Sequence, residues 1–152
     1  MKIRQIFFDL DRTLWDFETN SRFALQHLYD DLKLGDTIEH FMHFHHTYIR
    51  INADLWNQYG NGKLSKEELR DNRFKKALEH HGIHDEQLAK QMSDGYIDLS
   101  PQQTALFPGA VEMLETLKQQ DYSLHIITNG FKEVQHIKLD KSGISSFFDT
   151  VL

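Results

Sequence analysis

Two aspartates one residue apart, Asp9 and Asp11, follow the apolar residues Ile6, Phe7 and Phe8 near the start of the chain. Carboxylates this close in sequence repel each other unless a cation or a shared proton intervenes. A hard ion such as Mg²⁺ suits such oxygen donors and keeps several waters, leaving room for a phosphate oxygen. The pair therefore suggests a division of labour. Asp9 would attack phosphorus as a nucleophile and form an aspartyl-phosphate. Asp11 would protonate the leaving oxygen and then take a proton from the hydrolytic water. Thr128 and Asn129, at the end of a second apolar run, would bind the phosphoryl oxygens together with nearby backbone N–H groups. A lone Asp-x-Asp also fits a solvated turn; its place after an apolar run, with Thr13-Leu14 next, favours function.

These residues can act together only if the elements that carry them lie side by side, because ligands of parallel α/β sheets sit outside the carboxyl ends of the strands. The nearly continuous apolar run Ile3–Phe8 reads as a strand buried on both faces. Tyr122–Ile127 reads as a second strand, and a third begins at Phe148 and runs to Leu152. A helix over 110–120, entered at Pro108-Gly109, carries Val111, Leu114 and Leu117 on one face. Another, over 132–141, is closed by Gly143 in a left-handed cap. Helix and strand alternating in this way imply a parallel sheet covered by helices, an α/β fold. Residues 18–100 differ: they hold no strand-like run, and helices are expected at 21–32, 38–58, 66–81 and 85–99. Ser65 and Glu68 have the spacing of a capping box at the start of the third.

Composition narrows the partners. The chain has 152 residues, 39% of them apolar, which suffices for a substantial core in one or two small domains. A formal charge of −6 supplies no basic field for a nucleic acid polymer or an anionic membrane. With no cysteine there is neither a disulfide framework nor a zinc–thiolate site. No stretch is long and apolar enough for a signal peptide or a membrane span, and a cytoplasmic protein is the simplest expectation.

Phe8-Asp9-Leu10-Asp11-Arg12-Thr13-Leu14 resembles the first motif of the haloacid dehalogenase (HAD) superfamily, and Ile126-Ile127-Thr128-Asn129-Gly130 resembles the second. Phe107-Pro108-Gly109-Ala110 is similar to the stretch that leads into the second strand of that family. The resemblance implies a HAD-like Rossmannoid parallel sheet, residues 1–17 and 101–152, with an inserted helical C1 cap, residues 18–100. It implies that Asp9 is nucleophile and Mg²⁺ ligand, and that Asp11 is acid/base and a further ligand through its backbone carbonyl. Thr128 is then a phosphate-binding residue, with Asn129 beside it. The second acid marks the phosphatases of the superfamily and is lacking in its true dehalogenases. Trp15, Trp56 and Arg73, with their neighbours, are similar to the narrower YjjG-type nucleotidases, implying a small phosphorylated substrate such as a nucleoside monophosphate. A sugar-phosphate phosphatase or phosphomutase uses the same nucleophile, and a non-catalytic remnant of the core is the reading from another class.

The family also needs a lysine and an acidic pair after the third strand, and neither is among these 152 residues. A truncated gene, a second polypeptide, or a real shortened protein with a binding or structural role each fits that gap. The 152-residue chain alone is accordingly expected to be nearly inactive, with self-association through the exposed edge of its first strand. Lys132, just after the second motif, reads as a solvated helix-start lysine. Arg12 stands where glycine is commonest, and its side chain is expected to turn from the site or toward solvent. The histidines at 40, 43, 45, 46, 80, 81 and 84 read as surface or partly buried residues rather than a metal site. Trp15, Phe17, Trp56 and Tyr59 read first as core aromatics, with a lid over a base as the rival. Arg50, Asn52 and Arg73 are candidate polar contacts of the cap.

Overall fold

The computed structural model describes residues 4–152, so Ile3 at the start of the first expected strand lies outside the described residues. The chain divides into two compact units: the residues up to Phe23 with Leu99–Leu152, and Ala24–Asp98.

In the first unit three parallel strands, β1 (Gln5–Phe8), β2 (Ser123–Ile126) and β3 (Thr150–Val151), form a sheet in the order β1-β2-β3. Phe8 lies level with Ile126, and Ile126 with Val151. Because successive strand residues point to opposite faces, Leu124 and Ile126 share one face. There they meet Ala110 and Leu114 of one helix, α5 (Ala110–Gln119), and Leu139 of another, α6 (Lys132–Lys141). Leu10, Leu14, Trp15 and Ile144 complete this core. Gly109 at φ 81° and Gly143 at φ 73° take the left-handed conformation on either side of these helices, at no Cβ cost.

One expectation for β1 is corrected. It is not buried on both faces: Gln5 and Phe7 are exposed and Ile6 and Phe8 half-buried. Helices α5 and α6 both pack on the Leu124/Ile126 face, so the face carrying Phe7 is left with a ring of its own sheet. Phe7 stacks on His125 at 4.7 Å and remains 54% exposed. A continuous apolar run signals two covered faces only when a layer lies on each.

Helix α1 (Phe17–Asp31) begins earlier than its apolar pattern suggested. Asp16 accepts the Thr19 N–H at 3.1 Å and the Thr19 hydroxyl at 2.7 Å, so it acts as the N-cap. The second unit contains α2 (Phe41–Gly60), α3 (Lys66–His80) and nearly all of α4 (Glu86–Leu99). Its core gathers Phe44, Tyr48 and Leu55 from α2, Leu69, Phe74 and Leu78 from α3, and Met92 and Tyr96 from α4. Tyr48 stacks on Phe74 at 4.9 Å, and burial pushes its phenol well above the ordinary tyrosine range, so it stays protonated. The expected capping box closes at Ser65 and Glu68, each side chain accepting the other's backbone N–H. Among the described residues no helix is long and apolar enough to cross a membrane.

Asn20 joins the start of α1 to the segment before α5. It is 1% exposed, donates to the Ala105 carbonyl at 2.8 Å and accepts the Ala105 N–H at 2.9 Å. Asn20→Ala strands the Ala105 N–H, whereas the Ala105 carbonyl keeps the Asp16 N–H at 3.0 Å, and one stranded group costs about 1–3 kcal/mol. Urea unfolding should show a fall in stability of about 1–3 kcal/mol with an unchanged m-value.

Candidate active site

The site begins with a turn wound around one carbonyl. Leu10 is fully buried, and its C=O accepts the N–H groups of Thr13, Leu14 and Trp15 at 3.0–3.2 Å. Asp9 and Asp11 flank that anchored residue. Arg12 then takes φ 66°, a left-handed conformation that L-residues adopt at a cost of roughly 1–2 kcal/mol. The need for a positive φ explains why glycine suits this position. The Arg12 side chain leaves the turn outward, as anticipated: it is 61% exposed, pairs with Glu18 at 2.6 Å and lies 4.3 Å over the Phe17 ring.

Beyond β2 the chain is held from both sides. Ile127 donates its N–H to Phe8 at 2.8 Å, and Thr128 donates to Leu152 at 3.1 Å. Asp11 and Thr128, 117 positions apart by their numbers, thereby reach a common partner. Gln135 on α6 donates from Nε2 to Asp11 Oδ2 at 2.9 Å and to Thr128 Oγ1 at 2.8 Å. Lys138, one helical turn on, donates to Asp11 Oδ1 at 2.7 Å. Its ammonium also sits 4.3 Å over the ring of the fully buried Trp15, which accounts for one aromatic as core beneath the site. The Lys138 side chain is 6% exposed and that of Asp11 22%. Asp9 is exposed, and its Oδ1 accepts the Leu10 N–H at 2.8 Å. Asn129 is exposed next to Thr128.

Neither Gln135 nor Lys138 was found from the sequence, where Lys132 drew attention instead; Lys132 is exposed at the first position of α6. The available signal was spacing. Gln135, Lys138 and Leu139 stand at i, i+3 and i+4, one face of a helix whose Leu139 is core, so two polar residues lie on an inward stripe. The other polar candidates lie within the helical unit, where Asn52 and Arg73 are buried and Arg73 rests 4.8 Å over the Tyr96 ring.

Among the described residues no three His, Asp or Glu side chains converge to hold an ion. Asp11 spends both carboxylate oxygens on Lys138 and Gln135, so its side chain is occupied. Asp9, with its second oxygen, and the backbone carbonyl of Asp11 are hard donors of the kind Mg²⁺ takes alongside several waters. The fit is to one side of a magnesium site.

A parallel sheet whose strand ends present Asp-x-Asp and a threonine beside one another defines a class of α/β hydrolase. The family model of the haloacid dehalogenase-like hydrolases matches residues 3–152, and the chain belongs to that family. It is 30% identical to pyrimidine 5'-nucleotidase YjjG of Escherichia coli over 152 residues, all of this chain and 63% of that protein. It is 32% identical to pyrimidine 5'-nucleotidase PynA of Streptococcus pneumoniae over 146 residues, 96% of this chain and 59% of that one. The magnesium-bound crystal structure of the HAD-hydrolase YfnB of Bacillus subtilis superposes with a TM-score of 0.84 at 28% identity, covering 99% of this chain and 63% of that one. The chain thus spans less than two thirds of the length of these relatives.

The Lys138–Asp11 pair makes a stability prediction. Removing one member of a mostly buried ion pair leaves the other charge uncompensated, at a cost of about 3–5 kcal/mol when burial is complete. Asp11 retains some solvent, so Asp11→Ala should lower stability by about 2–3 kcal/mol in urea unfolding, and Asp11→Ala/Lys138→Met should recover most of that loss.

Proposed function

We propose that this chain carries the nucleophile, the acid/base and the phosphate-binding hydroxyl of a Mg²⁺-dependent phosphomonoester hydrolase acting on nucleoside monophosphates. The observation that carries this reading is the Gln135 amide shared between Asp11 and Thr128, which follow the ends of paired parallel strands. Asp9 is the less encumbered carboxylate, bonded among the described residues to the adjacent Leu10 N–H through Oδ1, and its other oxygen can attack phosphorus. The P–O bond to the leaving alcohol breaks as the Asp9–phosphorus bond forms, and Asp11, which takes up the proton of the phosphate monoanion as it binds, passes that proton to the departing oxygen. Water then attacks the aspartyl-phosphate, giving its proton to Asp11 and releasing phosphate and the free Asp9 carboxylate. Thr128 donates to a phosphoryl oxygen in both steps. Mg²⁺, held by Asp9 and the Asp11 carbonyl, would neutralise phosphoryl charge.

The nucleoside monophosphate preference is supported by the two nucleotidases among the relatives. Choice of leaving group is assigned to the helical segment 18–100, the proposed cap. The lysine and acidic pair that the family resemblance calls for are not among these residues, so the 152-residue chain alone is proposed to turn over very slowly.

Phosphate release from pyrimidine and purine nucleoside monophosphates, sugar phosphates and pyrophosphate tests this reading. The chain is assayed alone and fused to the remaining third of the E. coli relative. The fusion should hydrolyse nucleoside monophosphates, Asp9→Asn should reduce kcat by at least about 10³-fold, and the chain alone should stay near background. Retention of the wild-type rate in Asp9→Asn ends the assignment.

Self-association is the remaining part of the proposal. Among the described residues β1 has one hydrogen-bonded neighbour, and Phe7 on it is 54% exposed, the kind of edge that pairs with another chain. Sedimentation velocity should show the chain as dimers or larger, and Phe7→Lys should shift it to monomer.

A further inference from the structure

Beyond naming the reacting groups, the contacts of α6 bear on how those groups are aimed. Gln135 is fully buried and offers two N–H bonds from one amide nitrogen; Asp11 takes one and Thr128 the other. The orientation of this amide follows from chemistry: an ionised carboxylate accepts only, so the nitrogen must face Asp11. The cost is visible on the other side, where Gln135 Oε1 is buried without a hydrogen-bond partner. Thr128 Oγ1 accepts a second hydrogen bond from the Gly130 N–H at 3.1 Å. With two bonds accepted, its acceptor capacity is filled, and the hydroxyl proton remains to be donated. Asp11 is fixed in the same way, one oxygen on Gln135 and the other on Lys138.

Gly130 makes room for this arrangement. A Cβ at Gly130 would stand 2.5 Å from Gln135 Cδ, closer than carbon atoms approach, and a tight 3.0 Å from its Cγ. The glycine is needed here for the close approach of a side chain.

We propose that Gln135 and Lys138 are positioning residues of the hydrolytic site. Gln135 obliges Thr128 to act as a hydrogen-bond donor toward an anion, and Gln135 with Lys138 locks the Asp11 carboxylate in one orientation. Gly130 is the steric condition for both. This rests on the phosphohydrolase reading above, but the geometry it asserts can be read without turnover.

The first readout is the Gln135 side-chain amide in ¹⁵N–¹H spectra of the purified chain. Its two protons should exchange slowly and resonate away from the free-glutamine position. Thr128→Val and Asp11→Ala should each shift them, and Gly130→Ala should return them to the free position while the backbone amides of β1 and β2 hold theirs. The second readout is the phosphate-release assay in the fusion described above. Lys138→Met should lower kcat about tenfold to a hundredfold with KM within about threefold, as expected for a misaimed rather than an absent group. Lys138→Arg should restore most of that loss. Gln135→Ala should raise KM as well, because the Thr128 donor is then free to turn, and adding Gly130→Ala to it should cost no more, since the atoms that a Cβ at position 130 would meet are gone. Free-glutamine resonances in the wild type, or Gln135 and Lys138 variants whose rates fall only with their folded fraction, overturn the proposal. Absence of turnover in the wild-type fusion with the amide signature intact overturns the phosphohydrolase reading and leaves the positioning geometry supported.

Discussion

Everything in the first unit depends on one pairing, the parallel register of β1 with β2. The two strands are separated by more than a hundred residues of sequence, so closing that loop costs chain entropy before any contact repays it. What offsets the cost is burial of Leu124 and Ile126 against α5 and α6, together with Leu10 and Leu14, which the turn after β1 folds beneath the sheet. The register has a chemical consequence. With Phe8 opposite Ile126, the chain leaves both strands at the same level, and Asp9 and Thr128 emerge from the same end of the sheet. A slip of one residue would invert every side chain of β1 and carry the aspartates with them.

A second constraint is the ammonium of Lys138, placed where little water reaches it. A buried cation persists only with an anion and further polar support. Asp11 supplies the anion, and the Trp15 ring supplies a face of negative electrostatic potential. The core of this unit is therefore joined to its chemistry: Trp15 packs among Leu10, Leu14 and Ile126 and at the same time supports the cation that holds Asp11. Substitutions that loosen Trp15 reach the carboxylate through that cation.

Much of this was legible in the sequence, and the misses have physical reasons. Helix α6 falls on Lys132–Lys141 as its pattern and the Gly143 stop require, and the Ser65–Glu68 capping box forms because it is a purely local interaction. The start of α1 was placed late because the helical pattern was counted from residue 21, whereas the start is set by hydrogen bonds of the Asp16 side chain, which periodicity does not report. β1 was assigned two covered faces because periodicity reports apolarity and says nothing about which layers are present; Phe7 lies open on one side. Gln135 and Lys138 escaped because an amphipathic helix is conventionally read with polar residues outward, and here two of them turn inward to a charge more than a hundred residues away. Their spacing with Leu139 puts them on the inward face, but nothing local names the distant charge they meet.

The two aspartates illustrate how far neighbours, rather than residue type, set a role. Asp9 and Asp11 are chemically the same side chain, two positions apart. Asp9 is exposed, bonded through one oxygen to an adjacent N–H, and thus has an oxygen available to a cation or a phosphorus centre. Asp11 is three-quarters shielded and holds one partner on each oxygen, so an attack from it would require breaking an ion pair and a hydrogen bond first. A proton asks less of Asp11, since it needs one lone pair rather than a reoriented carboxylate. Environments that separate two like groups in this way are how a pair of carboxylates comes to divide nucleophilic from acid–base work. In this chain the separation is made by α6, whose Gln135 and Lys138 claim one aspartate and leave the other.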